Sequence, residues 1–224
     1  MLRFGVPPNR WVLIAFEMVD FSLYLVTDRK ATSGRPLLVV LEECLNAGVR
    51  TVQLREKDLS GRELYALASE LRTLTRRYRA RLLINDRIDI ALAVDADGVH
   101  LPSDSFPPME ARRLLGAGRL IGVSTHSVDQ AKSAEKEGAD FIVFGPVFDT
   151  PSKRGYGPPL GIDALAKAVG SVGIPVFAIG GIGADAVPKL RKAGARGVAV
   201  ISAILSSPNP GKAVSRFIDA LGAA

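Results

Sequence analysis

Cysteine is nearly absent from this chain of 224 residues. The single one, Cys44, excludes an internal disulfide. With only two histidines beside it, a structural zinc site lacks ligands. Cys44 lies in the helical apolar pattern "LEECLNAGV", which predicts a buried, inert thiol. These features fit a cytoplasmic protein. Aromatic residues are also scarce, at 6%, and none interleave with basic runs as base-stacking platforms would. The net charge of +6 and the isoelectric point near 9.7 therefore point to an anionic small molecule, with no nucleic acid and no membrane as partner. No apolar run reaches the length of a membrane span. "WVLIAF" near the start has the polarity of a signal segment, but no small-residue cleavage site follows and "FSLYLVTD" runs straight into a strand. Residues 1–20 are expected to form an N-terminal extension, with Met18 as an alternative start, and residues 21–224 a single domain.

Eight short apolar or β-branched runs are present: "SLYLVT", "TVQLR", "RLLIN", "DGVHL", "RLIGVS", "DFIVFG", "PVFAIG" and "GVAVIS". They are apolar almost throughout, as parallel strands buried on both faces are. Helical patterns separate them. "SGRELYALASELRTLTRRYR" sets Leu64, Leu67, Leu71 and Leu74 on one stripe, and "SVDQAKSAEKEGAD" runs from a Ser127 cap to Gly138. Gly194 ends another helix in the same way. A βα unit repeated about eight times predicts a single closed (β/α)8 barrel, the TIM-barrel architecture, with its site at the strand C-terminal ends. An open doubly wound sheet is the alternative, and it is disfavoured because no Gly-rich dinucleotide fingerprint follows the first strand.

Polar residues just past each strand are the site candidates. Gln53, Arg55 and Lys57 share one strand face, a costly interior arrangement unless an anion meets it; a solvated charge run is the competing reading. Glu56 and Asp58 alternate outward. Asn85 and Asp86 end the third strand, and Asp86 either caps the next helix or holds Mg2+ carried by a diphosphate. After the fifth strand come Ser124 and His126; His126 is an acid/base candidate or a packed histidine, and His100, inside a strand pattern, reads as structural. A Gly/Pro-rich loop carries Thr150, Ser152 and Lys153, donors suited to a phosphate or diphosphate. Gly180 and Gly181 after the seventh strand, with Ile201 and Ser202 after the eighth, sit where barrels bind phosphate.

Together "YLVTD", "VQLREK", "INDR", "GVHL", "GVSTHS", "AIGGI" and "GVAVISAI" resemble the thiamine phosphate synthase family, in family order, from Ser22 to Ser206. The resemblance implies that hydroxymethylpyrimidine diphosphate loses pyrophosphate while a thiazole phosphate attacks its methylene carbon. It implies that Gln53, Arg55, Lys57 and Asn85 contact the pyrimidine diphosphate, and that Ser124 and Lys153 hold the diphosphate. Thr150, Ser152, Gly181, Ile201 and Ser202 would then bind the thiazole phosphate. Mg2+ would sit on Asp86 and a second carboxylate. One motif departs from the pattern. The family's aspartate after "GVHL" is replaced here by Ser105, with Asp104 one residue early as the displaced ligand. This loop is more similar to the sister thiazole tautomerases, in which a histidine at the position of His126 moves a proton. Tautomerase action is therefore the first alternative, and a non-catalytic phosphate-ligand binding protein the second. A homo-oligomer is left open.

Overall fold

The computed structural model describes residues 18–150 and 158–222. Eight strands close into a parallel barrel in sequential order: β1 (Leu23–Val26), β2 (Thr51–Leu54), β3 (Arg81–Asn85), β4 (Gly98–Leu101), β5 (Leu120–Thr125), β6 (Phe141–Phe144), β7 (Val176–Ile179) and β8 (Gly197–Val200). Strand β8 returns to β1 through the register Tyr24↔Ala199. The outer layer is α1 (Leu37–Asn46), α2 (Gly61–Arg77), α3 (Ile88–Ala93), α4 (Pro108–Leu115), α5 (Val128–Lys136), α6 (Gly161–Val169), α7 (Val187–Lys192), α8 (Ser202–Leu205) and α9 (Pro210–Gly222). This is the predicted (β/α)8 barrel.

The local chemistry explains the helix ends. Ser60 and Glu63 form a reciprocal capping box at the start of α2, which satisfies backbone donors that would otherwise lack partners. Ser127 accepts from the Gln130 amide at the start of α5, and Gly138, at φ +90°, lies just past its end. Of the α2 stripe, Leu64, Leu71 and Leu74 are buried while Leu67 is only partly so, because Ala68 takes the central contact. Burying each such leucine contributes roughly 1.5–3 kcal/mol. Cys44 is buried, and desolvation pushes its thiol up to about 12, which makes it unreactive.

The core has two parts. One fills the space between strands and helices; the other fills the barrel itself with Phe21, Tyr24, Leu83, Phe141 and Phe177. Phe21 stacks on Phe177 at 5.1 Å between ring centroids and meets Phe141 edge-on at 5.6 Å. The four aromatic rings plug the N-terminal end of the barrel. Val19, within the stretch expected to be an extension, is fully buried in this plug, and Asp20 pairs with Arg81 at 3.0 Å. Barrel packing thus begins before residue 21. Asp97 and Asp140 repeat one device at this end. Each accepts a neighbouring strand's amide, from Leu82 and Ile121 respectively, and pairs with an arginine, Arg72 or Arg112, at 2.6 Å.

Candidate functional site

At the opposite end of the barrel the strand termini bring most of the predicted residues together. Gln53 is buried at 3% exposure, and its Nε2 donates to Asn85 Oδ1 at 2.9 Å. The pair fixes both amides across β2 and β3. Arg55 is half-buried above Gln53 and Lys57 is exposed, so the same-face series climbs from the interior to the rim. Arg55 and Lys57 line an open depression with Asp28, Lys30 and Asp58.

Glu56 does not point away into solvent as the alternation suggested. Its side chain is 2% exposed and accepts from Thr27 Oγ1 at 2.8 Å, Arg29 N at 3.0 Å and Arg29 Nη1 at 3.0 Å. Thr27 Oγ1 in turn accepts the Arg55 amide at 2.9 Å. The loop after β1 covers the outer face of β2 at this point and supplies the donors that a buried carboxylate requires. Asp58 accepts both guanidinium arms of Arg29, at 2.6 and 2.9 Å, and pairs with Lys30 at 2.7 Å. Those bonds hold its carboxyl well below the usual carboxylate range.

Asp86 is exposed in the left-handed region at φ +65°, which aspartate tolerates better than most residues. It does not cap α3: the N-cap is Arg87, whose side chain pairs with Asp89 instead. The hydroxyl of Ser105 donates to Asp86 Oδ1. Asp104, one residue earlier, is exposed and is not brought onto Asp86. The residue at the family's second carboxylate position is therefore in place, with a hydroxyl in the carboxylate's stead. Among the described residues no group of three His, Cys, Asp or Glu side chains is placed to hold a metal ion. Asp86 and Ser105 fit an ion that arrives already bound to phosphate oxygens, since Mg2+ is commonly held by one or two carboxylates plus substrate.

Ser124 is half-buried and faces the barrel interior, 2.9 Å from His100 Nε2. It does not cap α5, a role taken by Ser127. His126 is exposed, and its Nδ1 donates to the Gly145 carbonyl at 2.5 Å. Gly180 and Gly181 have φ of +101° and +64°. A Cβ at Gly180 would lie 2.6 Å from Pro146, and one at Gly181 would lie 2.4 Å from the Asp149 carbonyl. The loop after β6 therefore seats directly on this glycine pair. Gly181 and Ser202 are exposed at the rim; Ile201 is half-buried and packs against the interior cluster. Ser202 opens only a four-residue helix. Thr150 is half-buried, and Ser152 and Lys153 lie outside the described residues.

One group escapes the sequence reading as part of the site: His100, whose strand pattern marks it only as structural. The glycine at 122, in register with His100 on the next strand, was the available signal, because an interior glycine makes room for a large neighbour.

The thiamine monophosphate synthase family model matches residues 23–204. A putative thiamine-phosphate synthase of Geobacter sulfurreducens is 59% identical over 192 residues, which cover 86% of this chain and 90% of that protein. The thiamine-phosphate synthase of Roseiflexus castenholzii is 42% identical over 217 residues, covering 96% of this chain and 95% of its own. Among solved structures, thiamine phosphate pyrophosphorylase from Pyrococcus furiosus superposes with a TM-score of 0.84 at 37% identity, covering 92% of this chain and 98% of that one. A 3-hexulose-6-phosphate synthase, at 18% identity and a TM-score of 0.64, shares the fold alone. The barrel, the polar residues at its mouth and this continuous similarity agree: the chain belongs to the thiamine monophosphate synthase family.

Proposed function

We propose that the protein is a thiamine-phosphate synthase, a transferase that joins hydroxymethylpyrimidine diphosphate to thiazole phosphate and releases pyrophosphate. The observation that carries the reading is the Gln53–Asn85 amide pair, set beside an Asp86 that caps no helix. A phosphate site alone would not call for that polar floor, which suits the ring of a pyrimidine.

The carbon–oxygen bond to the diphosphate breaks as positive charge grows on the pyrimidine methylene. The leaving group then carries the charge that the site must stabilise. In this reading Arg55, Lys57, Ser124 and Lys153 bind the diphosphate, and Gln53 and Asn85 orient the ring. Thr150, Ser152, Gly181, Ile201 and Ser202 hold the thiazole phosphate so that its ring nitrogen faces the methylene carbon. Such positioning supplies much of the acceleration in a two-substrate reaction. Asp86 would hold Mg2+ carried in on the diphosphate, and the ion would supply positive charge to the leaving group. Asp104 would join only if its loop shifted.

Two observations favour a second reading as a thiazole tautomerase: the hydroxyl of Ser105 in place of a carboxylate, and an exposed His126 whose ring is held through Nδ1 by the Gly145 carbonyl. One experiment separates the two. Incubation with pyrimidine diphosphate, thiazole phosphate and Mg2+ is expected to give thiamine phosphate, with His126→Ala changing the rate less than threefold, on the order of one weak hydrogen bond. No thiamine phosphate, together with aromatisation of a thiazole carboxylate phosphate that His126→Ala abolishes, would replace the synthase reading with the tautomerase.

A further inference from the structure

A line of three polar side chains crosses the barrel interior and ends at its mouth. Tyr24 Oη lies 3.4 Å from His100 Nδ1, and His100 Nε2 lies 2.9 Å from Ser124 Oγ. Tyr24 is fully buried and His100 is 3% exposed, so neither reaches a substrate. Their setting leaves the imidazole little freedom. Gly122 is the register partner of His100, and a Cβ there would stand 2.8 Å from His100 Nδ1 and 2.3 Å from the Phe141 ring. Phe141 and Tyr24 flank the imidazole at 6.1 and 5.7 Å between centroids.

Both buried groups stay uncharged near neutral pH. Desolvation, with a smaller push from the Arg55 guanidinium, lowers His100 to about 3, and desolvation holds the Tyr24 phenol well above its ordinary value. A neutral imidazole carries one N–H, so the line has two proton arrangements. In the first, Tyr24 O–H donates to Nδ1, Nε2–H donates to Ser124 Oγ, and the serine hydroxyl is free to donate into the mouth. In the second every donor reverses, and Ser124 offers only lone pairs to a ligand. An anionic oxygen can accept a hydrogen bond from Ser124 only in the first.

We propose that Tyr24 and His100 are positioning residues for Ser124: Tyr24 sets the Nε2–H tautomer of His100, and that tautomer turns the serine hydroxyl outward as a donor to the leaving diphosphate. This rests on the synthase reading of the site. No proton is transferred along the line; it sets orientation only. In a low-dielectric interior such linked hydrogen bonds reinforce one another.

The test uses the full chain labelled with 15N-histidine, observed by NMR with Mg2+ and inorganic pyrophosphate. The chain has two histidines, so His126→Gln assigns the signals. The expected result is a protonated Nε2 and a bare Nδ1 on His100 in the pyrophosphate-bound state. A protonated Nδ1 there would overturn the proposal. A kinetic cycle gives a second readout. Tyr24→Phe keeps the buried ring and is expected to lower kcat by about 3- to 10-fold, the scale of one net hydrogen bond, with KM for thiazole phosphate unchanged. In a Ser124→Ala background the same change is expected to do nothing further; an equal loss in both backgrounds would point to a merely structural tyrosine. Failure of the synthase reading looks different. Pyrophosphate would bind with His100 in the predicted tautomer, yet no thiamine phosphate would form.

Discussion

Ser105 donates its hydroxyl to the carboxylate of Asp86 and so ties the loop after β4 to the loop after β3. The contact places an uncharged group where the family resemblance calls for a second carboxylate. Ser105→Asp would restore it. We expect the Mg2+ concentration for half-maximal synthesis to fall by about tenfold, because a second carboxylate adds a charged ligand. A Mg2+ titration of thiamine phosphate formation checks this, and an unchanged midpoint would remove Ser105 from the ion's surroundings.

Asp86→Asn provides the reverse test. Asparagine tolerates the left-handed conformation at φ +65°, and no helix loses a cap, so the thermal midpoint is expected to stay within a few degrees. Turnover is expected to fall by on the order of a hundredfold if the carboxylate meets Mg2+. Full activity in a stable Asp86→Asn protein would contradict that role.

Glu56→Gln addresses the buried carboxylate that gathers Thr27 and Arg29. The amide keeps one acceptor oxygen but sets an NH2 group against donors. The expected loss is about 1.5–3 kcal/mol, the scale of hydrogen bonds to a charged group, read from urea unfolding. Because Thr27 also holds the Arg55 amide, KM for the diphosphate substrate is expected to rise as well.

Gly181→Ala and Gly138→Ala separate backbone strain from steric clash. Both glycines have positive φ, but a Cβ at 138 meets open space while one at 181 meets the Asp149 carbonyl at 2.4 Å. Gly138→Ala is expected to cost about 1 kcal/mol from conformation alone. Gly181→Ala is expected to cost more and also to weaken thiazole phosphate binding. Equal losses by urea unfolding would show that the loop after β6 gives way.

Acid should weaken the fold through His100. Its folded value, about 3, lies below the ordinary 6.5, so the unfolded chain takes up the proton first. The stability contributed is whole above pH 6.5 and declines as pH falls from there toward about 3. The slope from this one group is about 1.4 kcal/mol per pH unit, or about 2 kcal/mol between pH 6.5 and 5. His100→Asn removes the group and should flatten that part of a stability-versus-pH curve measured by urea unfolding.

The barrel was legible because each of its strands is short, apolar and bounded by helix punctuation such as Ser127, Gly138 and Gly194. Alternation also placed Gln53 correctly, since an amide in an apolar strand has to face something polar. It failed at Glu56, where period-two logic gives the face but cannot show that the loop after β1 folds over it. Asp86 was undecided between cap and ligand for a similar reason. Which backbone amides a carboxylate meets depends on local φ and ψ, and here Arg87 stands at the cap. The line from Tyr24 to Ser124 joins residues 100 positions apart on three strands, so only closure of the barrel brings it together.

Among the described residues, the aromatic plug of Phe21, Tyr24, Phe141 and Phe177 fills one end of the barrel and leaves the opposite mouth as the way in. Gln53 lies deep behind it and Gly181 and Ser202 stand at the threshold. On the proposed assignment, a pyrimidine seated on Gln53 would therefore enter before a thiazole phosphate held at the threshold. Two reactants sharing such a doorway form a queue, and blocking the rim with an unreactive thiazole phosphate should trap whatever already lies beneath.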